Sequence, residues 1–203
     1  MQRSSQSRLS QNYCGILLAA GAARRFGSNK LLHPLAGDLP MALTALANLR
    51  SAVARVVAVV RPGEAQLEHC LSAAGATVIE CANADDGMGA SLACGVKATG
   101  DVAGWIVALA DMPYIRPDTI AKIAAALAAG APIAAPVYQG VRGHPVGISS
   151  AFRQQLEALS GDEGARSVLR NNAHMIELIE VDDPGVCRDI DTPADLSESS
   201  RLR

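Results

Sequence analysis

Short apolar runs alternate along the chain with longer stretches in which apolar residues recur every three or four positions. The runs at 14–20, 55–60, 77–81, 105–110 and 133–136 are unbroken rather than alternating, as in strands covered on both faces. Between them the spacing predicts helices over 40–52, 64–74, 90–98 and 117–129. Pro40 and Pro117 suit first-turn positions, and Gly75 and Gly130 suit positions just past a helix end. Strand and helix in alternation predict an α/β fold with a doubly wound, mostly parallel sheet.

The rhythm changes after Tyr138. The segment "QGVRGHPVGIS" is rich in glycine and reads as a loop entering a short strand. Helices over 150–159 and 164–171 follow, then a strand over 175–181 and a closing helix after "CRDIDTPADL". This C-terminal third predicts a small antiparallel flap beside the main sheet. Without an internal repeat or low-complexity linker, residues 13–203 read as a single domain behind a disordered polar tail, 1–12.

Composition narrows the function. A net charge of -2 and 3% aromatic residues exclude a protein that grips nucleic acid through phosphates or base stacking. Five scattered cysteines, odd in number and without a CxxC, fit reduced thiols of a cytoplasmic protein rather than a disulfide frame or zinc site. The apolar run after Arg3 and Arg8 resembles a signal peptide only superficially, because Arg24 and Arg25 follow it directly. No apolar run is long enough to cross a membrane.

Three places carry candidate chemistry. The loop "LAAGAARRFGSNK", Leu18 to Lys30, leaves the carboxyl end of the first predicted strand, where doubly wound sheets bind ligands. Gly21 and Gly27 let backbone amides form an anion-binding concavity, and Arg25 and Lys30 add positive charge. Neither GxxxxGK[ST] nor GxGxxG is present, so the loop is not a Walker or dinucleotide motif. Asp111 follows "WIVALA" at the end of another central strand, where a carboxylate can hold Mg²⁺ together with substrate phosphates. The spacing Asp189-Ile190-Asp191 puts two more carboxylates on one side of an extended segment, and either could supply a second ligand. Thr192 is placed to cap a helix begun by Pro193.

Taken in order, these places resemble the nucleotidyltransferases with the pattern LAAGxSxRxGxxK, especially the molybdenum cofactor cytidylyltransferases. Leu18, Ala19, Ala20, Gly21, Arg25, Gly27 and Lys30 fit the pattern, and Ala23 departs from its serine. "GMGASL", "ADMP", "RGHPVG", "GDEGAR" and "DIDTPADL" look like its later signatures. Similar guanylyltransferases read LAGG, so the methyl of Ala20 is expected to favour cytosine. The resemblance implies a Rossmann-like fold and transfer from CTP to the phosphate of molybdenum-bearing molybdopterin, releasing pyrophosphate. It implies Mg²⁺ on Asp111 and Asp191, with Arg25, Lys30 and Asp111 catalytic. Leu18, Ala19, Ala20, Gly21, Gly27, Gly87 and Ser91 would line the nucleotide site. Arg142, His144, Asp162 and Arg166 would receive the pterin. A molybdenum hydroxylase or its maturation factor would be the protein partner. Guanylyl transfer, another phosphorylated acceptor, or a non-catalytic molybdopterin carrier remain alternatives.

Overall fold

The computed structural model describes residues 12–21, 30–35, 38–192 and 194–196. Its centre is one mixed sheet. Strands β1 (Tyr13–Leu18), β2 (Arg55–Val60), β3 (Thr77–Glu80) and β4 (Gly104–Leu109) are parallel and stand in the order β3-β2-β1-β4. Helices α1 (Met41–Arg50), α2 (Ala65–Ala73) and α3 (Met88–Lys97) make the crossovers between them. Helix α4 (Pro117–Ala128) leads to β5 (Ile133–Tyr138).

Unbroken apolar strands arise because both faces are covered. Along β1 and the residues after it, Leu17 and Ala19 join the core under α1, α2 and α4. Ile16, Leu18 and Ala20 join the opposite core under α3 and the C-terminal helices α5 (Arg153–Glu157) and α6 (Arg166–Asn171). Trp105, which faces that second core, is fully buried and donates its indole N–H to Thr99 at 2.9 Å.

Helix ends follow local rules. Gly75 (φ 86°) and Gly130 (φ 105°) lie just past α2 and α4 in the left-handed region, as the sequence predicts. Pro117 begins α4, whereas Pro40 sits one residue before α1.

The C-terminal third differs from the expected flap in its placement. Gln139 and Gly140, both at positive φ, form a two-residue turn from β5 into β6 (Val141–Arg142). The chain breaks at Gly143–Pro145 and resumes as β7 (Val146–Ser149). β7 runs antiparallel between β4 and β5, inside the sheet rather than beside it. β8 (Ile176–Glu180) pairs parallel with β5. The expected helix 150–159 is a 3₁₀ turn, Ser150–Phe152, followed by the short α5. Among the described residues no helix is long and apolar enough to cross a membrane.

Candidate active site

The sheet changes direction at β1. The chain leaves β1 toward β2 and β3 on one side, then returns through α3 to β4 on the other. Ligands bind at such a switch point, beyond the carboxyl ends of the strands. The β1 end is pinned there: Ala19 N–H donates to Val59 C=O at 2.9 Å, and Ala110 N–H donates to Leu18 C=O at 3.0 Å.

A cavity of about 440 Å³ opens above this point, lined by Leu18, Ala20, Gly21, Lys30, Gly87, Ser91, Asp111 and Asp162 among others. Ala19 is buried directly behind it, among the core residues under α1. Arg25, Gly27 and most of the glycine-containing loop, together with Pro193, lie outside the described residues. Ala20 is only 5% exposed, so little of its methyl faces the cavity.

At the cavity's β4 side, one ammonium ties three chain segments together. Lys30 Nζ donates to Asp111 Oδ2 at 3.0 Å, Asp191 Oδ1 at 3.0 Å and Ile190 C=O at 2.9 Å. Burial by itself would lower the Lys30 pKa, but the two carboxylates outweigh it and hold the group above the usual lysine value. Lys30, which the sequence offers as positive charge beside the glycine-containing loop, here directs its protons at the two carboxylates expected to hold a metal and at Ile190 C=O. Two neighbouring carboxylates need a counter-charge, and this lysine supplies it. Ile190 N–H donates to Asp111 C=O at 3.0 Å, joining the acidic segment to the end of β4. Asp195 completes the corner by accepting from Asp191 N–H, Thr192 N–H and the Thr192 hydroxyl. Thr192 thus donates to the Asp195 carboxylate, and Asp195 N–H in turn donates to Thr192 C=O at 3.1 Å.

Helix α3 forms the far wall. It begins two residues earlier than the sequence suggests, because Gly87 takes φ 110° at its N-cap. Gly89 N–H donates to Gly161 C=O at 2.8 Å, and a Cβ on Gly89 would meet the Ser160 carbonyl at 2.7 Å. The turn at 160–162 therefore packs directly on the helix start and carries Asp162 into this first cavity, away from Arg142, His144 and Arg166, with which the sequence grouped it. Ser91 lies inside the first turns, not at the cap, with its hydroxyl 3.4 Å from Gly87 C=O.

A second cavity, about 580 Å³, adjoins the first and shares Leu18, Met88, Leu109 and Asp111 with it. Arg142, His144 and Arg166 line it, as do Asp189 and Asp191. The β6–β7 break delivers His144, whose backbone N–H donates to Val186 C=O at 2.9 Å. Across the rim the order is therefore a cavity over β2, β1 and β4, the Lys30–Asp111–Asp191 cluster, then a cavity beside β4 and β7.

The MobA-like NTP transferase domain model matches residues 15–176. The chain belongs to this family. Purine catabolism protein PucB of Bacillus subtilis (strain 168) is 33% identical over 191 residues, covering 88% of this chain and 91% of PucB. Nicotine blue oxidoreductase of Paenarthrobacter nicotinovorans is 28% identical over 187 residues, with coverage of 88% and 91%. The crystal structure of Rv0371c from Mycobacterium tuberculosis H37Rv shares the fold, with a TM-score of 0.81 at 23% identity over 95% of this chain and 100% of that one.

Two residues of this MobA-like transferase site escape the sequence reading. Arg61, directly after β2, donates to Ala20 C=O at 2.7 Å and to Asp85 Oδ1 at 2.5 Å, and both residues line the first cavity. Their positions after predicted strands β2 and β3 were the available signal, since strand ends form the rim.

The histidine of the second cavity has an unusual setting. His144 Nδ1 is buried and has no hydrogen-bond partner among the described residues. Burial, then the guanidiniums of Arg142 and Arg166, push its pKa down from 6.5 to about 4, against smaller opposing effects of the Val107 backbone and Asp189. A folded pKa below the unfolded one gives stability that is complete above about pH 6.5 and lost as pH falls toward 4. The loss at this one group is about 3 kcal/mol. Urea unfolding of wild type and His144→Gln at pH 7 and pH 4 measures it. The variant is expected to lose less stability on acidification, and equal losses would refute the assignment.

Proposed function

We propose that the chain transfers the cytidylyl group of CTP to the phosphate of molybdenum-bearing molybdopterin and releases pyrophosphate. The observation that carries this reading is the meeting of two cavities on Asp111. A nucleotide in the first and a phosphorylated acceptor in the second would place their phosphates at the same carboxylate. The family relation supports nucleotidyl transfer, while CTP and the pterin rest on the resemblance of "LAAG", "GMGASL" and "RGHPVG".

The residues fit a divalent cation. Asp111 and Asp191 converge on one ammonium at 3.0 Å each. Among the described residues no set of three or more His, Cys, Asp or Glu side chains forms a closed cage. Mg²⁺ suits such an open pair, because it takes one or two carboxylates and fills its remaining positions with phosphate oxygens and water. A Rv0371c structure is a manganese complex, with a cation of the same charge. Bound between Asp111 and Asp191, the cation would supply charge neutralisation at the α-phosphate.

The chain's own residues do the rest. The amides of 21–27, with Arg25, hold the outer phosphates and stabilise the leaving pyrophosphate. Arg142 or Arg166 forks onto the acceptor phosphate. His144, neutral at physiological pH, offers a hydrogen bond to the pterin. The attacking phosphate is already anionic, so no general base is required; positioning and charge neutralisation carry the reaction. The chain would act as one domain in the cytoplasm and hand its product to a molybdenum hydroxylase or its maturation factor.

Pyrophosphate release with Mg²⁺ and molybdenum-loaded molybdopterin, compared across CTP, GTP, ATP and UTP, tests this. Release with CTP alone is the expected result. Release only with GTP overturns the base assignment. Tight pterin binding without release from any nucleotide overturns catalysis and favours a carrier.

A further inference from the structure

We propose that Lys30 sets the metal affinity of this site by competing with the divalent cation for Asp111 and Asp191. The inference rests on the metal position just proposed. An ammonium has three N–H donors. Those of Lys30 are matched one to one by Asp111 Oδ2, Asp191 Oδ1 and Ile190 C=O, at 2.9–3.0 Å. The Lys30 side chain is only 9% exposed, so water does not substitute for these partners. In this arrangement no N–H remains for a phosphate.

A divalent cation on the two carboxylates would stand within a few ångströms of the ammonium that Asp111 Oδ2 and Asp191 Oδ1 now hold. Two positive charges drawn to the same pair of oxygens repel strongly in a partly buried site. Lys30 must therefore yield at least one carboxylate when the cation binds. Lys30 also lines the nucleotide-side cavity, so the released ammonium stands where phosphates would lie. Metal binding alone leaves that ammonium short of the carboxylate it gave up, whereas metal binding together with a nucleotide supplies a phosphate in its place. The arrangement thus makes the cation bind weakly alone and firmly with nucleotide. Lys30 acts here as a positioning residue, through the carboxylates.

The test is Mn²⁺ binding in the absence of nucleotide, measured by calorimetry for wild type, Lys30→Met and Asp191→Asn. Lys30→Met removes the ammonium that both carboxylates now share. It is expected to bind Mn²⁺ at least about tenfold more tightly than wild type. Its thermal midpoint should also rise more on adding Mn²⁺, since the metal then separates like charges. A merely structural role for Lys30 predicts the opposite, weaker binding from a disordered pair. Should Lys30→Met fail to fold, Lys30→Gln carries the same expectation, because it is neutral and keeps a donor for Ile190 C=O. Equal or weaker Mn²⁺ binding by the lysine variants, with binding lost in Asp191→Asn, overturns the competition while leaving the metal position standing. Mn²⁺ binding unaffected by Asp191→Asn, or absent from every protein, overturns the metal position and the competition with it.

Discussion

Asp111→Asn is expected to lower the rate of nucleotidyl transfer by about a thousandfold or more, several kcal/mol of transition-state stabilisation. The substitution keeps the shape of the side chain and removes its charge. The backbone around it should hold, because the Ile190 N–H bond uses the Asp111 carbonyl and Ala110 N–H pairs with Leu18. Lys30 would retain Asp191 and Ile190 as partners. What is lost is one of two anionic ligands at the point the two cavities share. A group that acts on the α-phosphate in the transition state lowers kcat more than it raises KM for the nucleotide. Steady-state pyrophosphate release with saturating Mg²⁺, beside a thermal melt, measures both. A variant within tenfold of wild type would remove Asp111 from the reaction.

Much of this site is legible in the sequence because its parts sit where apolar runs stop. Asp111 follows the run that becomes β4, and the loop from Ala20 follows β1; strand ends in such a sheet form the ligand rim. The parallel core is equally legible, since residues such as Ile16 and Leu17 must both be apolar to serve opposite faces. Three features are not visible, and each depends on contacts between distant residues. β7 is short and glycine-containing, and its place between β4 and β5 follows from pairings such as Trp105 with Ile148 and Ile133 with Ile148. Lys30 is recognisable as a site residue, but Asp111 lies 81 positions away and Asp191 lies 161. Nothing local says that the three would satisfy one another. Arg61 reads as an ordinary charged residue after a strand, until its bond to Ala20 places it at the end of β1, on the rim of the first cavity.

Asp183 is hidden in the same way, and its substitution should have the largest effect on stability. In the sequence it is one of two acids before a proline, with no local feature to mark it as buried. In the structure it is 1% exposed and accepts three hydrogen bonds. Its Oδ2 takes Arg116 N–H at 2.9 Å and the Thr119 hydroxyl at 2.7 Å, and its Oδ1 takes Gly185 N–H at 3.0 Å. Arg116 is the N-cap of α4, so the carboxylate serves as that helix's cap from 67 positions away and also meets the positive end of its dipole. Asp183→Ala would leave three buried or half-buried donors without acceptors. The cost is about 3–5 kcal/mol, read as a drop in unfolding free energy in urea. Asp183→Asn should fall between, since an amide oxygen can replace one carboxylate oxygen but its NH₂ cannot accept from a backbone N–H. The consequences should reach the acceptor side, because the same turn carries Val186, whose carbonyl holds the His144 N–H. KM for the acceptor should therefore rise in Asp183→Asn while nucleotide affinity changes little. A loss below about 1 kcal/mol in Asp183→Ala would mean that water replaces the carboxylate, and that the turn is held by packing of Gly185 and Val186 instead.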